Sequence, residues 1–162
     1  MINLEEREKV WEIISEIKFG MIITKNEKKF RARPMTIIQD TFEGKLYFFT
    51  NVKAEQELRF DEQSGVSVVF SDIKSHSYIT LNGTAKLIKD THLIDQFWSF
   101  MTSVWFPKGK DDPDIALIEI DISCGEFWDN DKGSFSSMVE ILAAKFSKRI
   151  PHLGEKGTLG DS

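Results

Sequence analysis

The sequence predicts an α+β fold: a small antiparallel β-barrel of about six strands, with helices at its start, middle and end. Three observations lead there. Apolar residues recur at helical spacing near both ends of the chain, alternate with period two through its middle, and are separated mainly by short polar turns. Closing such a sheet is economical because closure removes exposed strand edges. At 162 residues the chain is long enough for one substantial core and too short for two. We therefore expect a single domain over 1–150 with a C-terminal tail, 151–162.

The elements follow in order. Asn3 and Glu6 form a capping-box pattern, and Val10, Ile13, Ile14 and Ile17 recur at helical spacing, so a helix is expected over 4–17, ending before Gly20. Met21–Thr24 and Phe30–Ile38 flank the polar stretch 25–29 and read as a hairpin. Leu46–Phe49 is a continuous apolar run, suited to a strand covered on both faces. Residues 53–61 read as a short helix anchored by Leu58 and Phe60, and 66–70 as the next strand. From Ser77 to Ile88 the faces alternate: Ile79, Leu81, Ala85 and Leu87 on one, Thr80, Asn82, Thr84 and Lys86 on the other. Gly83 interrupts this strand and marks a bulge or sharp bend. Residues 90–101 are expected to form one helix, capped by Asp90 or Thr91, with Phe97, Trp98 and Met101 on its apolar side. A charged, proline-containing loop, 105–114, precedes a strand over 115–120 that Gly125–Trp128 continues. A last helix is expected over about 134–147, and the glycine-containing tail from Pro151 has few anchors, so its end is expected to be mobile.

Composition excludes several classes. Hydrophobic residues make up 41% and charged residues 29%, which is ordinary for a globular chain. The 13 Phe and 4 Trp are read first as core and interface filling. A net charge of −5 argues against a general nucleic-acid binder. No apolar run approaches the roughly 20 residues that span a bilayer, and the acidic N-terminus lacks the pattern of a signal peptide. Cys124 is the single cysteine, so no internal disulfide forms and the chain reads as cytoplasmic. Its apolar, acidic surroundings do not favour a thiolate. His76, His92 and His152 show no metal-ligand spacing, and Asp111–Asp114 lacks the glycine and terminal glutamate of a calcium loop; no metal site is expected. There is no nucleophile elbow, P-loop or dinucleotide fingerprint.

Two stretches carry candidate chemistry. Period-two geometry puts Arg31, Arg33 and Met35 on one strand face, and Pro34, with no N–H, breaks the ladder beside them. That suits a flat heterocycle, and equally a solvated edge strand with its arginines in water. Downstream, Thr50 and Asn51 end an apolar strand where a helix-like segment with Lys53 begins. Hydroxyl, amide, backbone N–H and ammonium donors there suit an anion such as a phosphate; a merely solvated lysine fits the same residues.

Together, Arg33-Pro34-Met35, Phe48-Phe49-Thr50-Asn51, Trp105-Phe106-Pro107 with Asp111-Asp112-Pro113, and Phe127-Trp128-Asp129 resemble, in order and spacing, the FMN-binding split barrel of pyridoxamine 5'-phosphate oxidase-like proteins. The general stress protein 26 branch is the most similar. The resemblance implies a six-stranded antiparallel split β-barrel with flanking helices, assembled as a homodimer that holds FMN in clefts between subunits. Carried over by position, Arg33, Pro34 and Met35 would line the flavin ring and ribityl chain, Thr50 and Asn51 the ribityl and phosphate region, and Trp105 the ring from near the partner's edge. Where the family has Ser-x-Lys on the phosphate, this chain has Ala54-Glu55-Gln56. Losing one charged hydrogen bond there costs roughly 1.5–3 kcal/mol, and Glu55 would add repulsion that Lys53 and Arg31 would have to offset. The implied activity is that of an FMN-dependent oxidoreductase of unspecified substrate. A non-catalytic flavin-binding stress protein, or a dimer with a degenerate pocket, is the alternative. The expectation depends on an anion corner that the chain leaves open at the end of its third strand; a corner filled by the chain's own side chains counts against it.

Overall fold

The computed structural model describes residues 2–26, 29–57, 64–129 and 155–160. Along the chain lie α1 (Leu4–Ile17), β1 (Phe19–Asn26), β2 (Lys29–Thr36), β3 (Lys45–Asn51), α2 (Val52–Glu57), β4 (Ser64–Asp72), β5 (Ser77–Ile88), α3 (Thr91–Phe97), α4 (Phe100–Trp105), β6 (Ile115–Asp129) and β7 (Glu155–Leu159). The fold is α+β. Seven antiparallel strands form one sheet in the order β2-β1-β4-β5-β6-β3, with β7 also paired to β6. β2 and β3 stand at the two ends of that path, so the barrel is split rather than closed.

Local chemistry accounts for the starts and stops. The Asn3 side chain accepts from the Glu6 N–H at 3.0 Å, and Glu6 accepts from the Asn3 N–H at 2.7 Å, so the expected capping box opens α1. Val10, Ile13 and Ile14 turn inward against the core formed by Ile22, Leu46, Phe48, Val68, Phe70, Ile79, Leu81, Ile118 and Ile120. α1 thus covers one face of the sheet. A smaller cluster covers the outer side of β3 and β6, where Ile94, Ile115 and Leu117 meet Phe49, Phe97, Trp98 and Phe106. Both faces of the Leu46–Phe49 run are therefore covered, as its continuous apolar character implied.

Several boundaries differ from expectation. The first hairpin is tighter: Asn26 pairs with Lys29, so only residues 27 and 28 join the strands. The helix expected over 90–101 is two helices. Asp90 caps α3, Trp98 then turns extended to pack edge-on against Phe49 at 5.8 Å, and the Ser99 hydroxyl caps α4 by accepting from the Thr102 N–H at 3.2 Å. Met101 consequently lies exposed. Residues 115–129 form one strand across the bulge that Gly83 foretold: Asn82 pairs with Cys124 and Gly83 with Ile122, leaving Ser123 as the extra residue.

The largest correction is the tail. Glu155–Leu159 is a strand on β6, Leu159 is buried, and the Gly160 N–H donates to Glu6 at 3.1 Å. Glycine there reflects close approach rather than looseness: a Cβ on Gly157 would come within 2.5 Å of the Phe127 ring. The anchors Leu58 and Phe60 and the helix expected over 134–147 lie outside the described residues. Among the described residues, no helix is long and apolar enough to cross a membrane.

A polar cluster ties the outer face of β3 to β5 and β6. The Tyr47 ring packs on Phe97, and its hydroxyl donates to Glu119 at 3.1 Å; Lys45 and Lys86 also reach Glu119, at 3.0 and 2.9 Å. Burial raises the Glu119 carboxyl, but the hydrogen bonds from Lys86 and Lys45 outweigh it and hold it below its ordinary value. Burial, then the Glu119 charge, pushes the Tyr47 phenol up to about 12. The folded value exceeds the unfolded one of about 10. The stability this group contributes is therefore complete below about pH 10 and is lost as pH rises towards 12. In a Tyr78→Phe variant, which leaves Tyr47 as the lone tyrosine, phenolate absorbance should climb only near pH 12. A midpoint near 10 in the folded protein would contradict the packing of Tyr47 against Glu119.

Candidate functional site

The two ends of the split sheet are joined at one corner. β2 is an edge strand on which Arg33 and Met35 are half-buried while Arg31, Ala32 and Pro34 are exposed. The shared face expected for Arg33 and Met35 is present, with Met35 packed against the main core. Arg31, nearer the hairpin, points to solvent. At the other end, β3 finishes with Thr50 buried and Asn51 half-buried, and α2 follows at once. The connection from β2 to β3 is pinned by Gln39. Its amide donates to the Thr41 and Lys45 carbonyls at 3.0 and 2.6 Å and accepts from the Tyr47 N–H at 2.8 Å, so this stretch of the β3 edge is already satisfied.

Between those ends stands Glu55. The Arg33 guanidinium donates to both of its oxygens, Nη1 to Oε1 at 2.7 Å and Nη2 to Oε2 at 3.1 Å. The Thr50 hydroxyl donates to Oε1 as well. The Glu55 side chain is 1% exposed and that of Arg33 21%. Parallel guanidinium–carboxylate bonds of this kind are the strong, geometrically specific type. One donor is left over: Arg33 Nε is buried without a hydrogen-bond partner.

Two of the other candidates, Asn51 and Lys53, have partners within the chain. Asn51 accepts from the Lys53 N–H at 2.9 Å, a local turn that fixes its amide beside the backbone. Lys53 Nζ lies 2.8 Å from Asp114, whose backbone carbonyl takes the Val52 N–H at 2.8 Å. That hydrogen bond raises the Lys53 ammonium above its ordinary pKa and lowers the Asp114 carboxyl below its own. Gln56 belongs to α2, but its side chain lies outside those described. Trp105 ends α4 with 77% of its surface exposed, among the exposed Phe100, Met101 and Val104.

The structure therefore brings Arg33 and Thr50 together, holds Lys53 on Asp114 with Asn51 accepting from the Lys53 N–H, and leaves Arg31 and Trp105 outside that hydrogen-bonded corner. Glu55, expected only as a source of repulsion, fills the place where an external anion was expected. A flavin phosphate does not fit these residues as they stand, since the fork of Arg33 and the Thr50 hydroxyl are both spent on a carboxylate. Sequence reasoning missed this because the contact spans 22 residues and depends on how the two sheet ends meet. Opposite charges on Arg33 and Glu55 were its single trace. Among the described residues, no cluster of His, Cys, Asp and Glu is arranged to hold a metal ion.

Comparison with solved structures returns the same architecture. A Jannaschia sp. CCS1 protein assigned to general stress protein 26 is 25% identical, with 98% of this chain and all of that chain covered and a TM-score of 0.79. The general stress FMN/FAD-binding protein of Xanthomonas citri is 24% identical over 81% of this chain and 93% of that one, with a TM-score of 0.70. A Clostridium acetobutylicum protein related to general stress protein 26, of the pyridoxinephosphate oxidase family, is 19% identical over the same shares, with a TM-score of 0.65. No curated protein matches the chain. The family model described as pyridoxamine 5'-phosphate oxidase like matches residues 5–152, nearly the whole of the chain whose split sheet, edge strand β2 and corner after β3 are set out above; the chain belongs to that family.

Proposed function

We propose that this chain is a flavin-binding, oxidoreductase-like general stress protein that acts in the cytoplasm as a homodimer. One observation carries the reading: β2 stands at the end of the sheet path with its pattern interrupted at Pro34, which is exposed between the half-buried Arg33 and Met35. Membership in the family supports it, as do relatives of the same fold described as FMN/FAD-binding. In this reading the outer edge of β2, at Arg33, Pro34 and Met35, lies along the flavin ring and ribityl chain. A bound flavin would supply the electron chemistry, and the protein would orient it. The dimer is supported by α4, whose Phe100 and Trp105 are 82% and 77% exposed, a large apolar cost for an isolated subunit. In this reading a second protomer brings its Trp105 to the flavin.

Glu55 in the anion corner favours a second reading, a non-catalytic dimer whose cofactor pocket has been closed. The two separate on titration of the purified chain with riboflavin and FMN by flavin fluorescence, followed by anaerobic addition of NADH or NADPH. Saturable binding at micromolar concentrations and bleaching of the flavin's visible absorbance are expected. Binding without reduction would point to a non-catalytic flavin carrier. No saturation with either flavin at high micromolar levels would leave the closed pocket as the function-bearing description.

A further inference from the structure

Among the described residues, Glu55 is the least exposed charged residue, at 2%. It is also the anion around which the corner is built. Its partners come from three elements that the fold must bring together: the Arg33 fork from β2, the Thr50 hydroxyl from β3, and the carboxylate itself from α2. A planar guanidinium with a hydroxyl at its side binds carboxylate and phosphate through the same bidentate geometry. The unpartnered Arg33 Nε shows that the guanidinium has donor capacity beyond what Glu55 uses. A phosphate dianion entering this corner would meet Glu55 at hydrogen-bond range, where two like charges cannot both be accommodated. The remaining nearby ammonium, Lys53, is held by Asp114. No described cation is left in the corner to balance both anions.

We infer that Glu55 is a resident anion of this corner, and that it selects against flavins with a phosphate tail in favour of flavin whose ribityl end is uncharged. The inference rests on the flavin-binding reading for its ligand, but not for the resident anion itself. Wild-type protein is expected to bind riboflavin at least as tightly as FMN. Glu55→Ala should tighten FMN about 10- to 100-fold, the scale of one charge-assisted bond regained, and change riboflavin less than about threefold. Glu55→Gln preserves the volume and an acceptor for Arg33, so it guards against a folding defect in the alanine variant; it should show a smaller gain of the same sign. Inorganic phosphate provides a readout independent of flavin: it should raise the Tm of Glu55→Ala and leave that of the wild type unchanged. A wild type that prefers FMN over riboflavin by tenfold overturns the inference. So does a pair of folded variants that gain neither FMN affinity nor phosphate stabilisation. If neither protein binds either flavin while phosphate still stabilises the alanine variant alone, the resident anion stands and the flavin reading fails.

Discussion

Replacing Arg33 by methionine is expected to destabilise the folded chain by about 2–4 kcal/mol, because it strands the Glu55 carboxylate in the interior with the Thr50 hydroxyl as its remaining partner. Removing one member of a fully buried pair costs roughly 3–5 kcal/mol; the lower range used here allows for the 21% exposure of the Arg33 side chain. At the scale of a 162-residue chain, that is a loss of roughly 5–15 °C in Tm. The pair itself need not be worth so much. Replacing both members by apolar groups of similar volume, Arg33→Met with Glu55→Leu, should recover most of the loss, since the penalty lies in the uncompensated charge rather than in a missing bond. The double-mutant cycle would then show a coupling of about 2 kcal/mol. A single variant within about 0.5 kcal/mol of wild type, with no coupling in the cycle, would mean that water or another cation already solvates Glu55. The resident-anion account would fall with it.

Chemistry local in sequence was legible in advance; what depends on contacts across the sheet was not. Asn3 and Glu6 announce their helix because both partners of the capping box lie within one turn. The Ser77–Ile88 alternation and the irregularity at Gly83 are equally local, and both appear in β5. The division of α3 from α4 was hidden because Trp98 and Met101 fit one apolar stripe. What breaks that stripe is the attraction of Trp98 to Phe49, two strands away in the sequence, together with the cap at Ser99. The strand in the tail, β7, is hidden for a similar reason. Glycine normally signals freedom, and the physical cause of Gly157 is the Phe127 ring on a strand that the sequence does not announce as its neighbour. The site divides along the same line. Arg33 and Thr50 each stand out from their surroundings, but Glu55 as their common partner depends on the two sheet ends meeting, which no periodicity encodes.

Gly83→Ala should cost about 3 kcal/mol, although it adds a single methyl group to a strand. The bulge brings Gly83 so close to β6 that a Cβ would lie 2.0 Å from the Asp121 carbonyl oxygen, 2.9 Å from its carbon and 3.1 Å from the Ile122 Cα. All three are backbone atoms, so no side chain can swing aside. Relief requires either moving β6 away or shifting the register by one residue. β6 cannot retreat cheaply, because it also pairs with β3 and β7. A register shift would reverse the faces of a strand that places Ile118, Ile120 and Ile122 in the core and Glu119 on Lys45 and Lys86. Overpacking in a well-filled site typically costs 1–3 kcal/mol, and the upper end applies where the obstacle is backbone. Gly65→Ala is the matched control: it lies in the neighbouring strand β4, where an added Cβ meets nothing within 4 Å. That change should alter stability by less than about 0.5 kcal/mol. Equal effects at the two positions in denaturant titrations would show that intrinsic glycine-to-alanine propensity, rather than the closeness of β5 to β6 at the bulge, governs both sites.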